Sequence, residues 1–358
     1  MKEKFTQKLF YGDINNRSNM LASLDEKLKF KRENRTVDIV KRVGVLTADR
    51  VHLLNHPAEN PVTIFNPSII VDNQDLKIYG RIVLGYFTYA SAVLELTVPL
   101  NELSDISRGH YCGRIIIRPD NKYDIWGVED PRACVVRGKK TITYCGRTIN
   151  YFSPVRVERA LPLVAVHDGD EWKKAFVLRF SVQNTVSDKD CFIAEVNGLK
   201  IFHRIHTLNN EYYCVMNELP SDILDKEEFT EVHASKTNIL LEPADFEEKI
   251  GWGSPIVEVE GEYLLLLHGV DRSNKWYRVF AALMNKDARI TAVTRTYIME
   301  PRENYEVYGD RPFTVFPCGL CKIEDRLLVS YGAADFAIGI GEINLDELMS
   351  MLDSNRIE

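Results

Sequence analysis

Long apolar runs are missing from this chain. The longest, such as Tyr263–Leu267, are a handful of residues against the ~20 that a membrane-crossing helix needs, so no membrane partner is expected. The first residues, MKEKFTQKLFYGD, lack the apolar core of a secretory leader. An excess of positive charge is also lacking. Against 52 Asp+Glu stand 45 Lys+Arg, a net charge of −7, which argues against a nucleic-acid partner but leaves room for a local basic pocket. Cysteine is sparse and odd in number, at seven. Cys318 and Cys321 form a C-x-x-C, yet no second Cys or His pair follows at zinc-site spacing, so a buried turn around Gly319 is the expectation and no metal is. These absences together point to the cytoplasm.

Helical periodicity is scarce too. Residues 18–31 (SNMLASLDEKLKFK) carry apolar positions at helical spacing, and 221–231 and 344–353 are the other candidates. Residues 1–35 are read as a partly helical N-terminal arm, compatible with a homo-oligomer, and 36–358 as one domain.

What is present is β-texture. With 45% hydrophobic and 27% charged residues there is ample material for a core. From Val37 onward, short runs rich in Val, Ile, Tyr and Phe recur, among them Arg81–Phe87, Leu163–Val166 and Tyr263–His268. Arg137-Gly138, Asn197-Gly198 and Glu260-Gly261 each join two runs as a hairpin turn. More than a dozen such runs predict a sandwich, a barrel or a propeller. One faint internal repeat favours the propeller: the stretch from Pro119 (PDNKYDIWGVEDPR…TITYCG) resembles that from Pro301 (PRENYEVYGDRP…LLVSYG). Five blades of about 70 residues fill the length.

Four constellations carry chemistry. The first is Gly127-Val128-Glu129-Asp130-Pro131-Arg132, where a proline is expected to hold Asp130 extended and aim its carboxyl into a polar cavity; the plain alternative is an acidic loop with an Asp–Arg pair. The second is Lys189-Asp190 with His203-Arg204 across the Asn197-Gly198 turn, otherwise an ordinary charged hairpin. The third, Lys249 to Pro255 leading to His268-Gly269, sets small residues beside Trp252 and permits close approach of a ligand. The fourth is Ser330 to Asp335, either a tight turn or an acid with room for a sugar ring beside it.

In order and content these segments, with Phe65-Asn66-Pro67, resemble the inverting mannoside phosphorylases and mannosidases of glycoside hydrolase family 130 from about residue 60 to residue 343. The resemblance implies an all-β, five-bladed propeller with its site in the central funnel. It implies inverting, reversible phosphorolysis of a β-1,2- or β-1,4-linked manno-oligosaccharide to α-mannose 1-phosphate. Asp130 would be the sole acid, acting through the mannosyl 3-hydroxyl. Lys189, His203, Arg147 and Arg159 (or its neighbour Arg156) would bind phosphate, the co-substrate, with no other cofactor. Asn66, Arg81, Glu129, His268 and Asp335 would hold the mannosyl unit, and Trp252 or Tyr305 would offer an apolar sugar face unless they serve blade packing.

Cations at 189 and 203 favour phosphate over water. A unit charge ~4 Å from another is worth roughly 4 kcal/mol at an effective dielectric near 20, and guanidinium forks suit phosphate oxygens. A hydrolase of the same fold needs a second carboxylate as base, for which Glu195 and Glu129 are the candidates. A non-catalytic sugar-binding propeller needs neither acid nor anion site. The chain departs from the family in a shorter Lys189-to-His203 spacing, in Ile193-Ala194 where a proline is common, and in Gly261-Glu262-Tyr263 where a glycine-tryptophan turn is common. These changes bear on substrate preference.

Overall fold

The computed structural model describes residues 21–22, 31–85, 87, 89–180, 185–234 and 237–357. Among these residues five sheets, four of five strands and one of four, succeed one another along the chain, antiparallel except for a parallel outermost pair in three of them. Their inner strands are Thr63–Asp72, Val128–Val136, Thr185–Glu195, Glu247–Trp252 and Val315–Ile323, here taken to open blades 1 to 5. This is the five-bladed propeller the resemblance implied.

Period-two alternation explains how the blades stack. In blade 4, Leu264 to Leu267 are all fully buried. Leu264 and Leu266 pack into a core shared with blade 5 (Val315, Leu320, Val329), and Leu265 and Leu267 into a core shared with blade 3 (Phe192, Phe202, Cys214). Successive strand residues point to opposite faces, so an uninterrupted leucine run serves two interfaces at once. Three further cores join blades 5 and 1, 2 and 3, and 1 and 2, so the ring closes. Burying each such leucine is worth about 1.5–3 kcal/mol.

The ends of the chain seal that ring. The fourth strand of blade 5 is Lys41–Leu46, from the N-terminal side, paired antiparallel with Ala337–Asn344. Of the N-terminal arm, Leu21–Ala22 pair as a short strand with Thr237 and Asn238, and Arg32 and Asn34 bond to Glu247 and Asp271 of blade 4. Most of the helical expectation for 18–31 lies outside the described residues. The helix expected at 344–353 is present as Leu345–Asp353, capped by the Asn344 side chain, which accepts from the Glu347 N–H. The one expected at 221–231 is not. A single 3-10 turn, Ile223–Asp225, is followed by strand Thr230–Ala234, which extends blade 2 parallel to Glu171–Phe180. The β-prone Phe-Thr-Glu-Val there gains a sheet edge that a surface helix would not offer.

The three hairpin dipeptides are turns with both residues left-handed, as their sequences predict: φ is 52° and 74° at Arg137-Gly138, 47° and 101° at Asn197-Gly198, and 52° and 83° at Glu260-Gly261. The repeat from Pro119 and Pro301 is a real unit. Each copy is an entry loop followed by the inner hairpin of a blade, 2 and 5 respectively. Cys318 and Cys321 lie within the blade 5 inner strand, not in a turn, and burial pushes both thiols up.

Candidate active site

Each of the five inner strands carries a break in register, at Phe65/Ser68, Glu129/Arg132, Lys189/Phe192, Glu247/Lys249 and Pro317/Gly319, and the blade 3 strand carries a second at Thr185/Ser187. A bulge bends a strand and re-aims side chains. In blades 1 to 3 the bulge holds a left-handed residue, Asn66 (φ 47°), Asp130 (φ 53°) and Asp190 (φ 51°). Asp130 is therefore not extended, as Pro131 suggested. Asn and Asp tolerate the left-handed region, and the bulge imposes it. Arg132 fixes this turn. Wholly buried, it donates to the Asp130 carbonyl at 2.7 Å and to the carbonyls of Trp252 and Gly253 in blade 4.

The three bulge side chains meet in the funnel. An inner cavity of about 110 Å³ is lined by Asn66, Asp130, Asp190, His268, Tyr277 and Phe316, among others. It shares Arg81, Lys189, Arg311 and Asp335 with an outer cavity of about 560 Å³, which adds Glu129, Arg147 and several aromatic rings. That outer volume falls within the ~300–1,000 Å³ usual for small-molecule sites.

Charge in the funnel is paired but incompletely satisfied. Arg81 bridges two neighbouring carboxylates, donating to Asp130 Oδ1 at 3.0 Å and to Glu129 Oε1 at 2.9 Å. Arg147 donates to Glu129 Oε1 at 3.1 Å and Lys189 to Glu129 Oε2 at 2.8 Å. Burial alone would raise the Glu129 carboxyl, but Arg81, Lys189 and Arg147 outweigh it and hold the group well below its usual range. Lys189 is the mirror case: burial works against its charge, and Glu129 more than restores it. Asn66 donates to Asp130 Oδ1 at 2.8 Å, so both side-chain bonds to this carboxyl fall on one oxygen. Burial pushes Asp335 up to about 6, with Arg311 and Arg81 pulling the other way. It pushes His268 down to about 3, so that imidazole is neutral. Asn66 Oδ1, Arg81 Nε, Arg147 Nε and His268 Nδ1 are buried without a hydrogen-bond partner among the described residues. Buried polar atoms are rarely left so, and four around one funnel mark a place for a polar ligand.

Eight of the ten sequence-predicted residues thus converge: Asn66, Arg81, Glu129, Asp130, Arg147, Lys189, His268 and Asp335. Two do not. His203 is fully buried, its Nδ1 2.8 Å from both Asp188 oxygens and its Nε2 2.7 Å from Asn217 Oδ1. The cause is register. Carried unbroken from the Glu195↔Leu199 pair, the hairpin would put Lys189 and His203 on one face; the bulge pairs Lys189 with Arg204 instead. Arg204 donates to Asp190 at 2.9 Å. Arg159 lines neither cavity. Its guanidinium donates to the carbonyls of Asn150, Tyr151, Ser153 and Val155 and so clamps a loop. Trp252 and Tyr305 pack in inter-blade cores rather than facing a sugar. Glu195 pairs with Arg137 beside the hairpin turn and lines neither cavity.

Tyr277 and Arg311 were missed from sequence, and Asp190 was singled out beside Lys189 without a role. Asp190 repeats the bulge position of Asp130, a parity visible only once blades are aligned. Arg311 donates to the Tyr277 hydroxyl at 2.5 Å and lies 3.6 Å from Asp335.

Fold and funnel together define a class, the five-bladed propeller enzymes that act on carbohydrate. The chain belongs to glycoside hydrolase family 130: the family model described as beta-1,4-mannooligosaccharide phosphorylase matches residues 30–354. It is an enzyme of the glycoside phosphorylase kind. A beta-1,2-mannobiose phosphorylase of Thermoanaerobacter sp. (strain X514) is 29% identical over 231 residues, 63% of this chain and 69% of that protein. A 1,2-beta-oligomannan phosphorylase of the same organism is 22% identical over 236 residues, 65% and 73% of the two chains. Among solved structures, the beta-1,2-mannobiose phosphorylase from Listeria innocua, in complex with beta-1,2-mannobiose, superposes with a TM-score of 0.68 at 16% identity, covering 88% of this chain and 99% of that one. No helix among the described residues is long and apolar enough to cross a membrane.

Proposed function

We propose that this enzyme cleaves β-mannosides by inverting phosphorolysis, releasing α-mannose 1-phosphate, with Asp130 as its only acid. The observation that carries this reading is the pairing of one half-anchored carboxyl with a cluster of cations and orphaned donors. Asp130 Oδ1 is pinned by Asn66 and Arg81, which leaves Oδ2 as the oxygen that bears the proton. That proton passes to the mannosyl 3-hydroxyl, whose own proton goes to the glycosidic oxygen as the C1–O bond breaks. A phosphate oxygen forms the new bond to C1 from the opposite face, so a β-linkage becomes an α-phosphate.

Phosphate enters as an anion and needs no general base, whereas water would need a second carboxylate. Glu129 is unsuited to that work, because three cations occupy its oxygens and hold its carboxyl well below the usual range, which makes it a poor proton acceptor. Two of those cations are the phosphate site: Lys189, with further N–H groups to donate, and Arg147, whose Nε has no hydrogen-bond partner among the described residues. His203 and Arg159 are not in the set. Within the funnel, Asn66 Oδ1, His268 Nδ1 and Asp335 face the mannosyl hydroxyls. Neutral His268 suits a polar, uncharged sugar.

The test is incubation with β-1,2- and β-1,4-mannobiose, with and without inorganic phosphate. The expected product is α-mannose 1-phosphate, formed only with phosphate. Asp130→Asn should lower kcat by at least ~10³-fold while sugar binding persists. Free mannose released at the same rate in phosphate-free buffer would overturn the proposal.

A further inference from the structure

Asp190 sits at the blade 3 bulge as Asp130 sits at the blade 2 bulge, with φ of 51° and 53°, yet the chemistry above gives it no part. Its carboxyl is engaged differently. Asp190 Oδ2 accepts from Arg204 Nε at 2.9 Å and lies 3.6 Å from Nε2 of His268, on the second strand of blade 4. Both side chains are buried, and both line the inner cavity. Burial would raise the Asp190 carboxyl, but the groups around it, Arg204 foremost, hold it well below its usual range. An ionised oxygen thus stands beside a neutral imidazole.

The backbone is shaped for this contact. Gly251, on the inner strand of blade 4, is the register partner of His268. A Cβ at Gly251 would collide with Asp190 Oδ2 and with the His268 ring, so glycine is the residue that lets the two meet. The imidazole is also clamped. The Tyr277 ring stacks on it with centroids 5.7 Å apart, and the Phe316 ring lies at 4.5 Å. With the ring held, the open choice is which nitrogen carries the single proton. A lone pair on Nε2 would face the carboxylate and be repelled, whereas an N–H there turns its positive end toward it. Nδ1 is buried with no hydrogen-bond partner among the described residues, so a proton placed on it would be an orphaned donor.

Resting on the proposed phosphorolysis, in which His268 faces the mannosyl unit, we infer that Asp190 is a positioning residue that fixes His268 as its Nε2–H tautomer. Arg204 holds the carboxylate in place for this task. Nδ1 then presents a lone pair to the funnel and accepts from a sugar hydroxyl. Asp190 takes no proton and forms no bond in the reaction. A carboxylate beside one ring nitrogen is a general means of settling where an imidazole keeps its proton. An acceptor set in this way tells a hydroxyl from any group that has no proton to give.

Two measurements test this. In protein labelled with nitrogen-15 histidine, the ring-nitrogen resonances report the tautomer directly, and those of His268 are identified by their loss in His268→Gln. The expected pattern is a protonated Nε2 and a bare Nδ1, shifting toward the reverse tautomer in Asp190→Asn. Kinetics supplies the second readout. Asp190→Asn should raise the KM for the mannobiose substrate about tenfold and leave the phosphate KM no higher than in the wild type. Placed on His268→Gln, which has no tautomer to set, the same substitution should add less than about twofold. A wild-type His268 protonated at Nδ1, a full tenfold loss in both backgrounds, or a phosphate KM that rises in step overturns the inference and leaves phosphorolysis intact. The resonances need no turnover, so a wild-type protein that cleaves no mannoside sinks phosphorolysis while the tautomer is still read.

Discussion

At Asp335 burial and charge pull against each other, and burial wins. Its folded carboxyl titrates at about 6, above the ~3.9 of an unfolded aspartate. The folded state therefore holds this proton more tightly than the unfolded chain does. The group's contribution to stability is intact below about pH 4 and is lost as pH rises through about 6. Asp335→Asn cannot ionise, so it should gain on the wild type by on the order of 2 kcal/mol between pH 4 and pH 8. Thermal unfolding at the two pH values measures this. A difference that does not change with pH would show that Arg311 fully compensates the burial. At this scale the sequence was most readable where chemistry is local. Gly127 to Arg132 announced its acid, but the left-handed turn at Asp130 did not show, because a bulge is set by a partner strand and not by the dipeptide.

At the scale of the element, the inner hairpin of blade 3 shows how one inserted residue divides two roles. Lys189 faces the funnel, while His203 sits behind it against Asp188, Asn217 and the indole of Trp252, whose N–H donates to the His203 carbonyl at 2.9 Å. Lys189→Ala should raise the phosphate KM roughly 10- to 100-fold, the worth of one or two charge-assisted hydrogen bonds. His203→Ala should leave that KM unmoved and cost about 3 kcal/mol in a urea titration, since it strands a buried Asp188. A phosphate KM that rises with His203→Ala would put the imidazole back in the anion site. The hairpin was legible from Asn197-Gly198 and the β-branched runs around it. Which face each residue took was not, because face follows parity and the bulge between Lys189 and Phe192 shifts parity by one. Arg159 failed for a related reason. The resemblance implied a place for it in the anion site, and only the loop's own carbonyls reveal where the guanidinium went.

Over the whole molecule, closure is what a linear reading sees least. Repeats and strand counts pointed to five blades, yet nothing in Lys41–Leu46 says that it completes the blade formed some 300 residues later. The closure rests on more than ladder bonds. Arg42, on this strand, donates to Asp38 at 2.6 Å, to Glu306 at 3.1 Å and to the Glu300 carbonyl at 2.7 Å. Glu306 has no exposed side-chain surface and also accepts from the Tyr331 hydroxyl at 2.7 Å and from the N–H groups of Arg302 and Glu303. One guanidinium thus joins the N-terminal strand to the loop that enters blade 5. Arg42→Met keeps the apolar stem but strands a buried carboxylate, and removing one partner of a buried pair costs about 3–5 kcal/mol. The variant should unfold at markedly lower urea, with KM values for sugar and phosphate unchanged below its transition because the funnel lies elsewhere. If the urea midpoint hardly moves, the inter-blade cores alone hold the ring shut. If KM moves as well, the closure strand and the funnel are coupled, and the propeller behaves as one mechanical unit rather than five stacked sheets.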